Sequence, residues 1–258
     1  MIKRAFFRNK VLWLYPVVII ASQLLSIKYL LVIGIPLAVA GLVSRRKEFY
    51  LFSFSMLGHS FWLLVSQYLT VAISNQAHII ILGRLGLIGY IALFFIWQRL
   101  QTTDNNYFRL GDMKATIKFP FIWWGSKDYI WRVTLVFCTV CIISAVVIYF
   151  AFQANASTII LYGLAFALVN SFLENILWRG FVLGRMVDFV GEKQALILCS
   201  LAFGFYHLSL GFSIWVCLLY AIGGFYMGRY TIRSRGLFAS NAVHFSVNLI
   251  FGFSGMLF

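Results

Sequence analysis

Long apolar runs alternate with short polar breaks along almost the whole chain, at about 11–27, 29–44, 50–73, 79–97, 133–152, 159–187, 194–210, 212–228 and 237–257. A helix needs about 20 residues to cross the roughly 30 Å hydrocarbon core of a bilayer. The pattern therefore predicts nine spans. The first two runs are short, are separated only by Lys28 and contain Pro16 and Pro36; if they form a hairpin or one broken element, the count is eight. The expected fold class is all-α: a polytopic transmembrane helix bundle of eight or nine spans, with 1–258 as a single membrane domain.

The breaks set the orientation. With the N-terminus inside, Arg45-Arg46-Lys47, the 98–132 segment, Arg185 with Lys193, and Arg229, Arg233 and Arg235 all fall inside, as the positive-inside rule requires. Lys28 and Arg84 fall toward the outside. The opening MIKRAFFRNK precedes an apolar run that continues into further spans without a small-residue cleavage site, so it reads as a retained first helix. The longest connection, 98–132, ends in KFPFIWWGSKDYIW; its Trp123, Trp124, Tyr129 and Trp131 suit an aromatic belt along the inner membrane surface. Residues 1–132 are thus N-terminal helices plus an interfacial segment.

Composition agrees with this picture. The chain is 62% hydrophobic and 11% charged, which excludes an ordinary soluble domain. Its net charge of +14 lies in the breaks between apolar runs, so the basic residues are read as topology determinants and contacts to anionic lipid headgroups, not as a nucleic-acid surface. Cys138, Cys141, Cys199 and Cys217 all sit in apolar stretches and read as small buried hydrophobes, although the first two are spaced CxxC. GFVLG at 180–184 and GFYMG at 224–228 have the spacing that lets helix backbones approach closely.

Ionisable groups inside the hydrocarbon are costly, and each is a candidate for chemistry. Of seven acidic residues only Glu174, in NSFLENILWRGF, lies within an apolar run. His59, His207 and His244 also lie within predicted spans. Residues four apart share a helix face, which pairs His244 with Asn248, Phe203 with His207, and Asn175 with Arg179. Glu174 and Arg179 are five apart, about 140° around an α-helix, so they are expected to face different neighbours. His59 has no such partner and reads as a hydrogen-bonded structural histidine.

ENxxxR, then FxxxH, then HxxxN, in that order over the last four helices, resembles the CAAX-protease and bacteriocin-processing family of glutamate-type intramembrane peptidases. Gly180 after Arg179 and the run GGFYMGRYTIRSRGLFASNAVHFSVN are similar to that family as well, and the resemblance covers about residues 159–250. It implies that 159–258 is a catalytic helix core that hydrolyses a peptide bond of a membrane-associated protein or peptide substrate, in a bacterial or archaeal cytoplasmic membrane. By the same resemblance, Glu174 and His207 activate the attacking water, and His244 and Asn248 stabilise the oxyanion. Arg179 balances charge or orients its helix, and Phe203 shapes the pocket. The family usually has two adjacent glutamates; here the second is Asn175, leaving at best an amide to guanidinium hydrogen bond to Arg179.

Three other readings remain open from the residues. One Glu and two His could complete a three-ligand zinc site, although they come from separate helices without a compact signature, and the expected cofactor is none. A non-catalytic membrane partner or immunity protein of the same family would keep the motifs without the reaction. A small transporter would also carry intramembrane polar groups, but transporters commonly repeat their halves, and here the polar groups cluster at one end.

Overall fold

The structure, a computed structural model, describes residues 10–100, 107–120, 125–152, 157–255 and 257. Helix α1 (Tyr15–Leu24) carries Pro16 in its first turn, where the missing N–H costs no hydrogen bond. Two residues separate it from α2 (Ile27–Ser44), which is followed by α3 (Lys47–Ala72). Helix α4 (Gln76–Gly83) is capped by Asn75, whose side-chain oxygen accepts from the His78 N–H at 3.1 Å. A single 3-10 turn (Arg84–Gly86) joins α4 to α5 (Leu87–Leu100).

The C-terminal half contains α6 (Ile130–Phe152), α7 (Ser157–Asn175), a π-helical segment (Ile176–Val182) and α8 (Leu183–Phe205). A 3-10 turn (Tyr206–Leu210), α9 (Ile214–Ser234) and α10 (Phe238–Phe253) complete it. Large apolar side chains such as Val43, Val71, Val147 and Phe150 are exposed. That arrangement suits lipid as the surrounding solvent, because helices satisfy their own backbone groups and need no polar face there.

Among the described residues five helical stretches are long and apolar enough to cross a membrane: Ile27–Ser44, Lys47–Ala72, Gln76–Arg99, Ile130–Phe152 and Ser157–Leu210. The count of eight or nine is not reproduced. Two expected spans, 159–187 and 194–210, merge into the 54-residue stretch Ser157–Leu210, which is interrupted where Gly191 adopts φ 78°, a conformation open to glycine. Lys10–Leu24 and Phe238–Phe253 are apolar but shorter. The helix does run past Arg179 to the break at Gly191, so Glu174 is not held at a helix end.

A second departure is the hairpin in the interfacial segment: β1 (Thr116–Pro120) pairs antiparallel with β2 (Gly125–Tyr129), from Thr116 opposite Tyr129 to Pro120 opposite Gly125. Trp123 and Trp124 fall outside the described residues. Tyr129 and Trp131 are half-exposed, with the Arg132 guanidinium 5.5 and 5.2 Å from their ring centres, as an interfacial pair would be. The segment is also tied into the bundle. Asp112 N–H donates to the Ser234 carbonyl at 2.7 Å, Leu237 N–H to the Arg109 carbonyl at 2.9 Å, and Arg233 Nε to the Thr116 carbonyl at 3.2 Å.

Close helix contacts position the last four helices. Helix α10 packs against α6 and α7, and α9 against α8. At the α7–α10 crossing a Cβ placed on Gly252 would lie 2.6 Å from the Gly163 Cα, so only glycine permits this approach. GFYMG makes a similar contact: a Cβ on Gly224 or Gly228 would meet Phe203 or Leu196 at 2.8 and 2.7 Å. GFVLG does not pair helices in this way at its first glycine. Gly180 instead receives the ring of Phe108 from the long connection, which lies tilted by 59° against Phe181 with centroids 4.7 Å apart.

Candidate active site

The site forms where α7, the 3-10 turn after α8, α9 and α10 surround a cavity of about 720 Å³. Glu174, His207, His244 and Asn248 all line it, although they come from three separate stretches of chain. The remaining wall is mostly aromatic and aliphatic, including Phe137, Phe166, Phe203, Phe212, Tyr220 and Phe251. Glu174 is fully buried at 0% exposure, and a carboxylate in such surroundings is stable only beside compensating charge or donors.

Two groups approach that carboxylate. His244 Nε2 stands 3.5 Å from Oε2, and Arg84 Nη1 stands 3.8 Å from Oε1. Arg84, which the loop pattern places toward the outside, lies in the 3-10 turn within Gln76–Arg99, is 8% exposed, lines the cavity and sits 5.4 Å above the Phe166 ring. The sequence did contain a signal, since an arginine flanked on both sides by apolar residues is itself an intramembrane charge.

The helix phase around Glu174 also differs from expectation. From Ile176 to Val182 the backbone is π-helical, with bonds reaching five residues back, as from the Leu183 N–H to the Trp178 carbonyl. The wider turn separates residues four apart. Glu174 and Arg179 make no ion pair within 4 Å and face different neighbours, as expected: Glu174 has Arg84 and His244, and Arg179 has Phe203 and Met227. Asn175 and Arg179 do not share a partner. Arg179 lies with its guanidinium carbon 4.0 Å from the centre of the Phe203 ring and its Nη2 3.7 Å from Met227 Sδ. Asn175 turns instead to α10, its Nδ2 3.1 Å from His244 Nδ1.

The two i, i+4 pairs kept their geometry. His207 Nδ1 donates to the Phe203 carbonyl at 2.9 Å, and its ring stacks on Tyr220 with centroids 4.1 Å apart. The Phe203 ring lies nearly perpendicular to those of His207 and His244, with centroids 5.0 and 6.0 Å away, so it packs beside both imidazoles as well as Arg179. Asn170, one turn before Glu174, also lines the cavity. Its Oδ1, both Glu174 oxygens and Asn248 Nδ2 are buried without a hydrogen-bond partner in the protein, the kind of cluster a polar ligand satisfies.

Outside the cavity, His59 is buried against Trp62 with ring centroids 5.4 Å apart, its Nδ1 3.4 Å from Gln23 Nε2. Ser209 Oγ donates to Gln23 Oε1 at 2.6 Å, which ties α1 to the turn carrying His207. Among the described residues, no three or more His, Cys, Asp or Glu side chains are grouped closely enough to share a metal ion.

Apolar helices of span length around a buried acid, two histidines and an asparagine make up an integral membrane protein with a polar cluster inside its helix bundle. Comparison with known families adds one finding: residues 155–250 match the model of the Rce1-like family, type II CAAX prenyl endopeptidase. Glu174, Asn175, Arg179, Phe203, His207, His244 and Asn248 all fall inside the matched stretch, whereas Arg84 falls outside it. No curated protein and no solved structure matched the chain.

Proposed function

We propose that the protein is a metal-free intramembrane endopeptidase of the CAAX type, with Glu174 as the base that activates water. The observation that carries the reading is that Glu174, the fully buried carboxylate, opens on the same apolar cavity as His207, His244 and Asn248. In the proposed reaction a water held between Glu174 and His207 gives a proton to Glu174, and the resulting hydroxide bonds to the scissile carbonyl carbon. The carbonyl oxygen becomes an oxyanion facing His244 Nε2 and Asn248 Nδ2. Donors fixed at such a position contribute about 3–4 kcal/mol each in a dry site. The carbon–nitrogen bond then breaks and the proton passes from Glu174 to the departing amine. A membrane-associated peptide with an apolar or lipidated segment suits a cavity walled by aromatic rings.

The test is cleavage of an internally quenched prenylated CAAX peptide by the purified protein and by Glu174→Gln. The amide keeps the shape of the carboxylate but accepts no proton from water, so cleavage is expected to vanish while the protein stays folded. Undiminished cleavage by Glu174→Gln removes it from the role of base. Folded wild-type protein that binds the peptide without cleaving it favours a non-catalytic partner.

A further inference from the structure

We infer that Asn175 is a positioning residue that fixes the tautomer of His244, so that His207 and His244 face the cavity as an acceptor and a donor. Asn175 is 1% exposed, and its Nδ2 stands 2.9 Å from the Ser171 carbonyl, 3.2 Å from Asn241 Oδ1 and 3.1 Å from His244 Nδ1. A carbonyl only accepts, so the Ser171 contact dictates which end of the Asn175 amide is the NH₂ group. Turning the amide over would set its oxygen against both the Ser171 and Asn241 oxygens. The NH₂ group has no lone pair to offer, and His244 Nδ1 must therefore be the acceptor of its second hydrogen, shared with Asn241.

A neutral imidazole has one N–H and one lone pair. With the lone pair on Nδ1, the His244 proton resides on Nε2, the atom 3.5 Å from Glu174 Oε2. An imidazolium would place an N–H at Nδ1 facing the NH₂ hydrogens, so the same contact disfavours the doubly protonated ring. His207 is held the other way round: its Nδ1 donates to the Phe203 carbonyl, which leaves the lone pair on Nε2. Both rings line one cavity. The charged groups on the neighbouring elements are Glu174 on α7, Arg84 on the 3-10 turn and Arg179 on the π segment; none of them reaches His244 Nδ1 within salt-bridge distance.

A carboxylate at position 175 would reverse this. It accepts only, so it would draw the His244 proton to Nδ1 and leave Nε2 without a donor toward the cavity. Asparagine at 175 thus has a specific consequence at an atom two contacts away, and the residue acts through His244 without lining the cavity itself.

The experiment is a two-bond ¹H–¹⁵N correlation spectrum of ¹⁵N-histidine-labelled full-length protein in detergent, with His207 and His244 assigned by the signals lost in His207→Gln and His244→Gln. Expected are opposite patterns: the pyrrole-type nitrogen is Nδ1 in His207 and Nε2 in His244. In Asn175→Asp the His244 proton is expected to move to Nδ1. If that variant does not fold, Asn175→Ala, which removes the donor without adding charge, is expected to replace the single His244 tautomer by an average of two. A pyrrole-type Nδ1 in wild-type His244, or an unchanged pattern in the folded variant, overturns the assignment.

The catalytic consequence rests on the endopeptidase reading: on the prenylated CAAX peptide, Asn175→Asp should lose about 10²–10³ in kcat, the cost of one oxyanion donor, with KM little changed. A moved proton with undiminished kcat overturns the positioning role. Wild-type protein that fails to cleave the peptide counts against the endopeptidase reading alone, since the spectra judge the tautomers without it.

Discussion

Arg84 is expected to stabilise the fold through Glu174 rather than through its own packing, and a double-mutant cycle isolates that contribution. The guanidinium and carboxylate are 3.8 Å apart and both are buried, at 10% and 1% side-chain exposure. Two unit charges at this separation interact by about 4 kcal/mol at an effective dielectric of about 20. Removing one member of a buried pair costs about 3–5 kcal/mol, because the other is left uncompensated. Arg84→Met keeps much of the aliphatic stem and should therefore lose about 3–5 kcal/mol in an otherwise unchanged chain. In a Glu174→Gln background the same substitution should lose about 1 kcal/mol or less, the share owed to the Phe166 contact, which is common to both legs and cancels.

The coupling energy is accordingly expected at about 2–4 kcal/mol, at the lower end if Arg179 takes over part of the compensation. It is measured by unfolding the four proteins in mixed micelles with increasing SDS, followed by tryptophan fluorescence. Losses that add within about 0.5 kcal/mol would mean that the two groups do not interact, and the account of the site's charge balance would fall.

Two further outcomes follow from the packing and from the donor set. Gly252→Ala should cost about 1–3 kcal/mol in the same SDS titration by wedging α10 off α7, whereas Gly223→Ala, whose Cβ would meet nothing nearer than 3.9 Å, should stay within about 0.5 kcal/mol of wild type; equal effects would reject the crossing as described. Cleavage of the prenylated peptide should survive dialysis against a strong chelator, and a loss restored by Zn²⁺ would require a metal in the reaction.

Much of the fold was legible because lipid imposes one pattern: apolar runs of span length become helices. The site was legible where the helix stayed regular, as with His244 and Asn248, whose spacing put both on the cavity wall. It failed at Arg179, because a π segment shifts the hydrogen-bond phase over seven residues without any side-chain period of its own. Arg84 was missed for a different reason. Its partner lies 90 positions away, and a rule that sorts basic residues by loop sidedness has no means of finding a charge used inside the bundle. The hairpin after Thr116 was hidden because aromatic interfacial residues suit a strand as well as a surface helix.

Charge placement links the matched core to the rest of the chain. With Asn175 in place of a second carboxylate, the described residues of the core contribute one buried negative charge, on Glu174, and two buried positive charges, on Arg179 and on Arg185, of which Arg185 pairs with Asp188 at 3.4 Å. Arg179 makes no ion pair within 4 Å among the described residues and lies instead on the face of Phe203, a position suited to a weakly hydrated planar cation. The contact to Glu174 Oε1 is made by Arg84, which reaches it from the turn between α4 and α5 because α4 and that turn both pack against α7. The stretch 155–250 therefore carries the groups proposed to react but not the arginine that pairs with its own carboxylate. A piece containing only the matched helices would leave Glu174 without Arg84 and would bury the carboxylate at the cost of about 3–5 kcal/mol that a broken ion pair carries. The N-terminal half, which shows no motif, is in this sense part of the site.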